Sequence, residues 1–382
     1  MTPRKWFLFA AFCVPNLGAG SACAPRATTH RRVITDSLPS DPGPASELET
    51  PESFSRSSGA RNQDVRGPAG TPRVLWRTDL GTPLVHDLVP WNDVVYTTGG
   101  GEVFCIRADG AECWRSAANA VGGLAVRAAG LDVPTSEGSM LHLSLADGSL
   151  LTTYDAGGVI SGSPVVLAEE LVWVTTDGRV VAETDWAVSA SDSSVGTAAA
   201  DEQHLYFGTQ TGELVATSRA QTRWRAVLPG PMVGGVIAAS GLVFAAYTSE
   251  DGLKGGVTAL SAVDGAVVWR MPLSDIPAAG PALGTVLVVA DRRGEVVGFD
   301  PQTGDVVWTI EVGGAPTTAP TFGLYGLYLG NADGRLHRFD PDDGGEVWSI
   351  QLGATPSAAP AVLSGLVIVG LSDGSLVAVG SP

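Results

Sequence analysis

The chain has 382 residues, a formal net charge of −17 and 49 glycines, and only 16% of its residues are charged, against about 25% in ordinary globular proteins. This composition excludes a coiled coil, a collagen-like chain and wholesale disorder, and it fits many short buried strands joined by tight turns. Residues 1–22 carry +2 and residues 23–72 are neutral, so residues 73–382 carry the remaining −19, a surface that argues against nucleic acid as a partner.

The chain opens with Arg4 and Lys5, followed by the apolar run WFLFAAFCV and the small residues GAGSA. This reads as a secretory signal peptide over residues 1–22, too short to span a bilayer. The next residue is Cys23, and Gly20-Ser21-Ala22-Cys23 resembles a bacterial lipobox, in which that cysteine is acylated. Gly20 departs from the usual leucine at its first position. A lipid at Cys23 would anchor the chain without spanning the membrane. Residues 23–72 are rich in Pro, Ser, Thr, Gly and charges and show no apolar period, so they are expected to form a disordered tether.

From residue 73 the sequence repeats. The stretches GFDPQTGDVVW, RFDPDDGGEVW and ALSAVDGAVVW end at Trp308, Trp348 and Trp269. Aromatic residues close the units at Trp76, Trp114, Tyr154, Trp186, Trp224, Trp269, Trp308 and Trp348, in steps of 38, 40, 32, 38, 45, 39 and 40 residues. That is the spacing of four-stranded propeller blades. Tyr154 and Trp186 fit less well, because the turns before them are irregular. The fold expected over residues 73–382 is all-β: an eight-bladed β-propeller of four-stranded antiparallel blades. After Trp348 the chain supplies no further Trp strand, whereas residues 74–80 open the domain with an unclaimed one. That N-terminal strand should therefore complete the last blade and remove the free edges.

Each repeated residue has a physical task. Asp-Gly and Thr-Gly turns supply positive φ for tight hairpins. Val, Leu and Ile build strands buried on both faces. The tryptophans can pack between blades while each indole N–H finds a carbonyl. The repeats resemble the PQQ-like (quinoprotein-type) β-propeller family over the whole of residues 73–382. Within it, size and export make the chain resemble the BamB-type outer-membrane assembly lipoproteins. That resemblance implies a non-catalytic, monomeric scaffold for protein–protein interaction in the bacterial envelope, contacting another envelope protein such as an outer-membrane barrel-assembly subunit. It implies a location on the periplasmic side of the outer membrane, as a lipoprotein or as a soluble periplasmic protein.

The alternatives are a minimal PQQ-binding quinoprotein oxidoreductase and a propeller that binds a small ligand or glycan. Quinoprotein dehydrogenases carry adjacent cysteines and an acidic Ca²⁺ cluster, but Cys105 and Cys113 are eight residues apart and no such acidic set is evident, so neither PQQ nor Ca²⁺ is expected. The GLSDG stretch at residues 370–374 matches a nucleophile-elbow pattern, but no helix follows it and the preceding repeat has Ala332 in place of Ser372. The histidines do not pair at metal-ligand spacing. Neither a catalytic nor a metal site is expected.

Three features remain as candidates. His86 and Asp87 align with Ala358 and Ala359 on an innermost strand, so one of the two could make a polar contact in the axial funnel. Cys105 and Cys113 flank a hairpin and could form a local disulfide after export. Residues 248–256 form an insertion in the fifth blade, with Glu250, Asp251, Leu253 and Lys254 as candidate partner contacts. Lys254 is the only lysine of the repeat region.

Overall fold

The computed structural model describes residues 53–54 and 65–381, apart from positions 69, 85, 168–169, 185, 190–192, 220, 325 and 364. Its strands form eight antiparallel blades. Blade 1 is Val89–Trp91, Val94–Gly99, Glu102–Arg107 and Glu112–Ala117, and six more blades follow in chain order. Blade 2 gains a fifth strand from the pair Ser53–Phe54. Blade 8 consists of Ala361–Leu363, Leu366–Gly370 and Ser375–Gly380, completed by Arg73–Asp79 from the start of the domain. The pairing runs from Arg73 opposite Gly380 to Asp79 opposite Ser375.

Second strands such as Leu287–Ala290 are buried throughout and read as continuous apolar runs. Outermost strands such as Val306–Glu311 bury one side only. First strands lie innermost and abut one another. A Cβ added to Gly196 would stand 1.7 Å from the carbonyl oxygen of Gly234, and one on Gly162 2.5 Å from that of Gly196. Only glycine allows these backbones so close. Because strand direction alternates, first-to-second and third-to-fourth turns share one face of the ring. Second-to-third turns and the connections between blades share the other.

The blades are joined at their outer edge by one repeated contact. The indole N–H of Trp76 donates to the Ala108 carbonyl at 2.8 Å, in the outer turn of the next blade. Trp114, Trp224, Trp269 and Trp308 donate in the same way to Leu145, Ala262, Pro301 and Pro341 at 2.9–3.0 Å. The glycine of each turn lies on the indole. A Cβ at Gly110, Gly148, Gly265, Gly304 or Gly344 would come within 2.5–2.8 Å of ring atoms of Trp76, Trp114, Trp224, Trp269 or Trp308 respectively. These glycines also have positive φ, so turn and contact select the same residue. A bulge one residue before the tryptophan, at Val307 in blade 6, leaves that residue without a cross-strand partner and re-aims the side chain.

Three interfaces depart from this pattern. In blade 2 the register position opposite His142 is held by Thr152, so Tyr154 stands two residues beyond the place expected for the repeat aromatic. The turn before Tyr154 is regular and receives Trp114; the shortened connections are those of blades 3 and 4, between Arg179–Ala182 and Ala187–Ser189 and between Glu213–Ser218 and Gln221–Val227. The Tyr154 hydroxyl donates to Glu183 at 3.0 Å instead of to a turn carbonyl. Trp186 turns back to its own blade and donates to the Glu170 carboxylate at 3.0–3.1 Å. Trp348 faces blade 8, where the third and fourth strands come from opposite ends of the domain and no turn joins them. Its indole N–H has no partner among the described residues.

The chain before Arg73 covers that seam. The Val65 carbonyl accepts from Leu324 N–H at 3.0 Å and the Arg66 carbonyl from Gly365 N–H at 2.7 Å. Val65 packs into the cluster that holds Tyr328 and Trp348. The last residues of the stretch read as a tether therefore lie against blades 7 and 8, while residues 1–52 and 55–64 are outside the described residues.

Two substitutions test the indole contact. Trp308→Phe should lower unfolding stability by about 1 kcal/mol or more, because a made hydrogen bond is lost and a turn carbonyl is left behind. Trp348→Phe should cost clearly less, because no partner is removed. Chemical denaturation of both variants beside the parent chain measures the difference.

Candidate functional site

The insertion in blade 5 lies between Leu242–Thr248 and Gly255–Ser261, on the face that carries the connections between blades. It is held from within. Ser249 N–H donates to the Lys254 carbonyl at 2.8 Å, and Gly252 N–H to the Ser249 carbonyl at 2.9 Å. The Asp251 carboxylate accepts from the Ser249 hydroxyl at 2.5 Å and from Leu253 N–H at 3.0 Å. The hydroxyl of Ser249 beside it holds the Asp251 carboxyl below the usual carboxylate range. Its root is fixed by Thr248 N–H donating to the Pro231 carbonyl at 2.8 Å. A Cβ at Gly230 would stand 2.1 Å from the Thr248 carbonyl oxygen. The loop is thus ordered before any partner arrives, yet it leaves Leu253 71% exposed, with Lys254 beside it. Val227, which ends the outer strand of blade 4 just before that root, is 76% exposed. Sequence reasoning singled out the loop residues but missed Val227, whose place in an ordinary strand gives no signal.

The structure places His86 and Asp87 far from this loop in the ring, on the inner edge of blade 1. Gly122 N–H of blade 2 donates to His86 Nε2 at 3.2 Å, and Ala359 N–H of blade 8 approaches Asp87 Oδ1 at 3.4 Å. The pair therefore reaches to the neighbouring blade on either side. A ring nitrogen that accepts a backbone N–H must be unprotonated, and burial lowers the pKa of His86 against the opposing effect of Asp87.

Cys105 and Cys113 lie in the outer half of blade 1 and are free thiols in the structure. Cys105 is opposite Trp114 and Ile106 is opposite Glu112, so Cys113 is the extra residue of the bulge. The two are neither directly opposed nor diagonal, as a plain hairpin would have them. Burial, followed by the neighbouring Cys113, pushes the Cys105 thiol well above its ordinary value. Cys23 lies outside the described residues.

A quinone cofactor with its calcium needs a set of oxygen ligands and a cradle. Among the described residues no three His, Cys, Asp or Glu side chains are grouped to hold a metal ion. The cysteines lie in the third and fourth strands of their blade. Among the described residues, no helix is long and apolar enough to cross a membrane.

One buried acid on the loop's face stands out. Asp291 is 1% exposed. Its Oδ1 accepts from the backbone N–H groups of Arg293, Gly294 and Glu295 at 2.9–3.1 Å, while Oδ2 has no partner among the described residues. Asn331 occupies the same position in the next blade, bridged to Pro316 as Asp291 is to Pro277. There the amide nitrogen donates to the Val312 carbonyl at 3.2 Å. Asp291 can imitate that donor only with a proton on Oδ2, and burial raises its pKa.

The sequence matches the family described as outer membrane protein assembly factor BamB over residues 61–185, 99–233, 174–320 and 253–381. No curated protein sequence matches the chain. Among solved structures, BamB from Moraxella catarrhalis superposes with a TM-score of 0.65 at 15% identity, over 82% of this chain and 98% of that one. Quinohemoprotein alcohol dehydrogenase from Comamonas testosteroni gives 0.63 at 11%, over 81% and 76%. The computationally designed Ika8 protein gives 0.68 at 13%, over 79% and 98%. At such identities these likenesses show the fold alone.

A raised carboxyl pKa favours the protonated form in the fold, so stability declines as pH rises from the ordinary carboxyl range through the folded pKa of Asp291. Asp291→Asn should therefore stabilise the protein at neutral pH, and the gain should shrink towards pH about 4. Urea unfolding of both proteins across that range measures it.

Proposed function

The chain belongs to the family of outer membrane protein assembly factor BamB, and on that premise we propose that it is a non-catalytic scaffold of the bacterial cell envelope, acting in outer-membrane protein assembly. Its partner is another envelope protein, such as a barrel-assembly subunit. The observation that supports this reading is the pre-ordered loop of blade 5, which presents Leu253 and Lys254 without cover. Order before binding lowers the entropic cost of association, and an exposed apolar residue beside a lone lysine offers an anchor for recognition. Val227 is a second exposed apolar residue, on the chain that leads to the loop's root, and the exposed Glu250 and Asp251 give the loop negative charge. Acylated Cys23 holds the protein at the periplasmic side of the outer membrane, and the following residues give the propeller its reach.

Crosslinking in native cells, affinity purification of the full-length tagged protein and mass spectrometry test the scaffold role. A barrel-assembly subunit should be enriched, and Leu253→Glu with Lys254→Glu should reduce its recovery about tenfold, the equivalent of about 1.4 kcal/mol. Recovery of the protein with a quinone chromophore and without a protein partner would overturn this reading in favour of the oxidoreductase. For the anchor, Cys23→Ser should move the protein from the membrane fraction to the soluble periplasmic fraction.

A further inference from the structure

The interface between blades 2 and 3 carries a chain of ionisable side chains where the five regular interfaces place an indole against a turn. Arg127 grips Asp132 with two parallel bonds, Nε to Oδ2 at 2.8 Å and Nη2 to Oδ1 at 3.1 Å. Its Nη1 crosses to Glu183 of blade 3 at 2.8 Å. Glu183 also accepts the Tyr154 hydroxyl at 3.0 Å and, more distantly, Leu171 N–H at 3.4 Å. Asp132 is fully buried, and the side chains of Arg127 and His142 are 13% and 9% exposed.

His142 decides the charge of this group. Its Nδ1 lies 2.8 Å from Asp132 Oδ1 and its Nε2 lies 3.2 Å from the Ala129 carbonyl. Both neighbours are acceptors only. A neutral imidazole has one N–H and could satisfy one of them; only the imidazolium donates to both. Gly130 makes room for the ring, since a Cβ there would stand 2.6 Å from Cε1 and Nε2. With the imidazolium, two cations face two carboxylates and the buried group is balanced. Without that proton it carries one net negative charge away from water, which is costly.

We propose that His142 is the protonated member of a charge-balanced latch joining blades 2 and 3, and that this latch weakens as pH rises. The groups facing His142 are Asp132 on the second strand, Arg127 and the Ala129 carbonyl at the end of the first, Tyr154 on the fourth, and Glu183 from blade 3. Arg127, against the effect of burial, holds the Glu183 carboxyl below its ordinary range, and Arg127 itself is held above its own, so the imidazole is the member that titrates near neutrality. The hydrogen bond to Asp132, against the effect of burial, holds the His142 pKa above its ordinary 6.5. A raised histidine pKa contributes stability that is complete below pH about 6.5 and is lost as pH rises through the folded value. This interface lacks the outer tryptophan-on-turn contact of the regular blades; its indole bond is the inner one from Trp173 of blade 3 to the Ala156 carbonyl at 3.0 Å.

Nuclear magnetic resonance of histidine-labelled full-length protein reads the ring directly, with His142 identified by its loss in His142→Gln. Both ring nitrogens should be protonated at pH 6.5, with a titration midpoint above that of an ordinary histidine. Urea unfolding of the parent should weaken from pH about 6.5 to about 9, and His142→Gln should abolish that slope. A single neutral tautomer at pH 6, or equal slopes in parent and variant, would overturn the proposal. Should His142→Gln fail to fold, substitution of His30, His86, His204 and His337 identifies the remaining signals, and the ring titration still decides.

Discussion

The ring depends on an indole resting on a glycine. Each regular blade ends in a tryptophan whose face is covered by the turn of the next blade and whose N–H is capped by that turn's carbonyl, as with Trp308, Gly344 and Pro341. The contact buries a large apolar ring and satisfies its one donor in a single step. It also fixes the angle between neighbours, because the turn can approach the ring only where it has no side chain. Five such contacts give the assembly its regular part; the remaining interfaces show what the chain does without them.

Much of this was legible in the sequence, for a local reason. Turn, bulge and tryptophan fall within about a dozen residues and recur, so Gly304 and Trp308 announce themselves together. The same logic misled at Tyr154, an aromatic at nearly the right spacing, because register is set by pairing with the third strand, and there Thr152 meets His142. The chain of charges through Arg127, Asp132, His142 and Glu183 was invisible for the opposite reason. Its members lie on different strands of two blades, none forms a motif, and only folding brings them together. On the outer face, the blade 5 loop betrayed itself by its length, whereas Val227 looked like any other strand residue.

The distribution of polar groups bears on the contrast between scaffold and enzyme. Several polar side chains at the blade junctions hold neighbours together: His86 caps Gly122, Asn331 caps Val312, and Glu183 serves Arg127 and Tyr154. A family relationship to an assembly factor and a fold shared with a dehydrogenase and a designed protein are consistent with this, since the fold leaves the choice of function to its loops.

The split blade sets a timetable. Arg77 and Ser375, which meet in it, are 298 residues apart in sequence. The first emerges long before the second, whether from a ribosome, which needs on the order of 15–60 s to span that stretch, or from an export channel that passes the chain in the same order. Throughout that interval the strand Arg73–Asp79, with Val74 and Leu75 among its residues, has an open edge and no mate. The seven complete blades can form in sequence, but the ring closes last. Until then the waiting strand fits the final blade of a second molecule as well as its own, so closure is a race between self-completion and exchange with a neighbour.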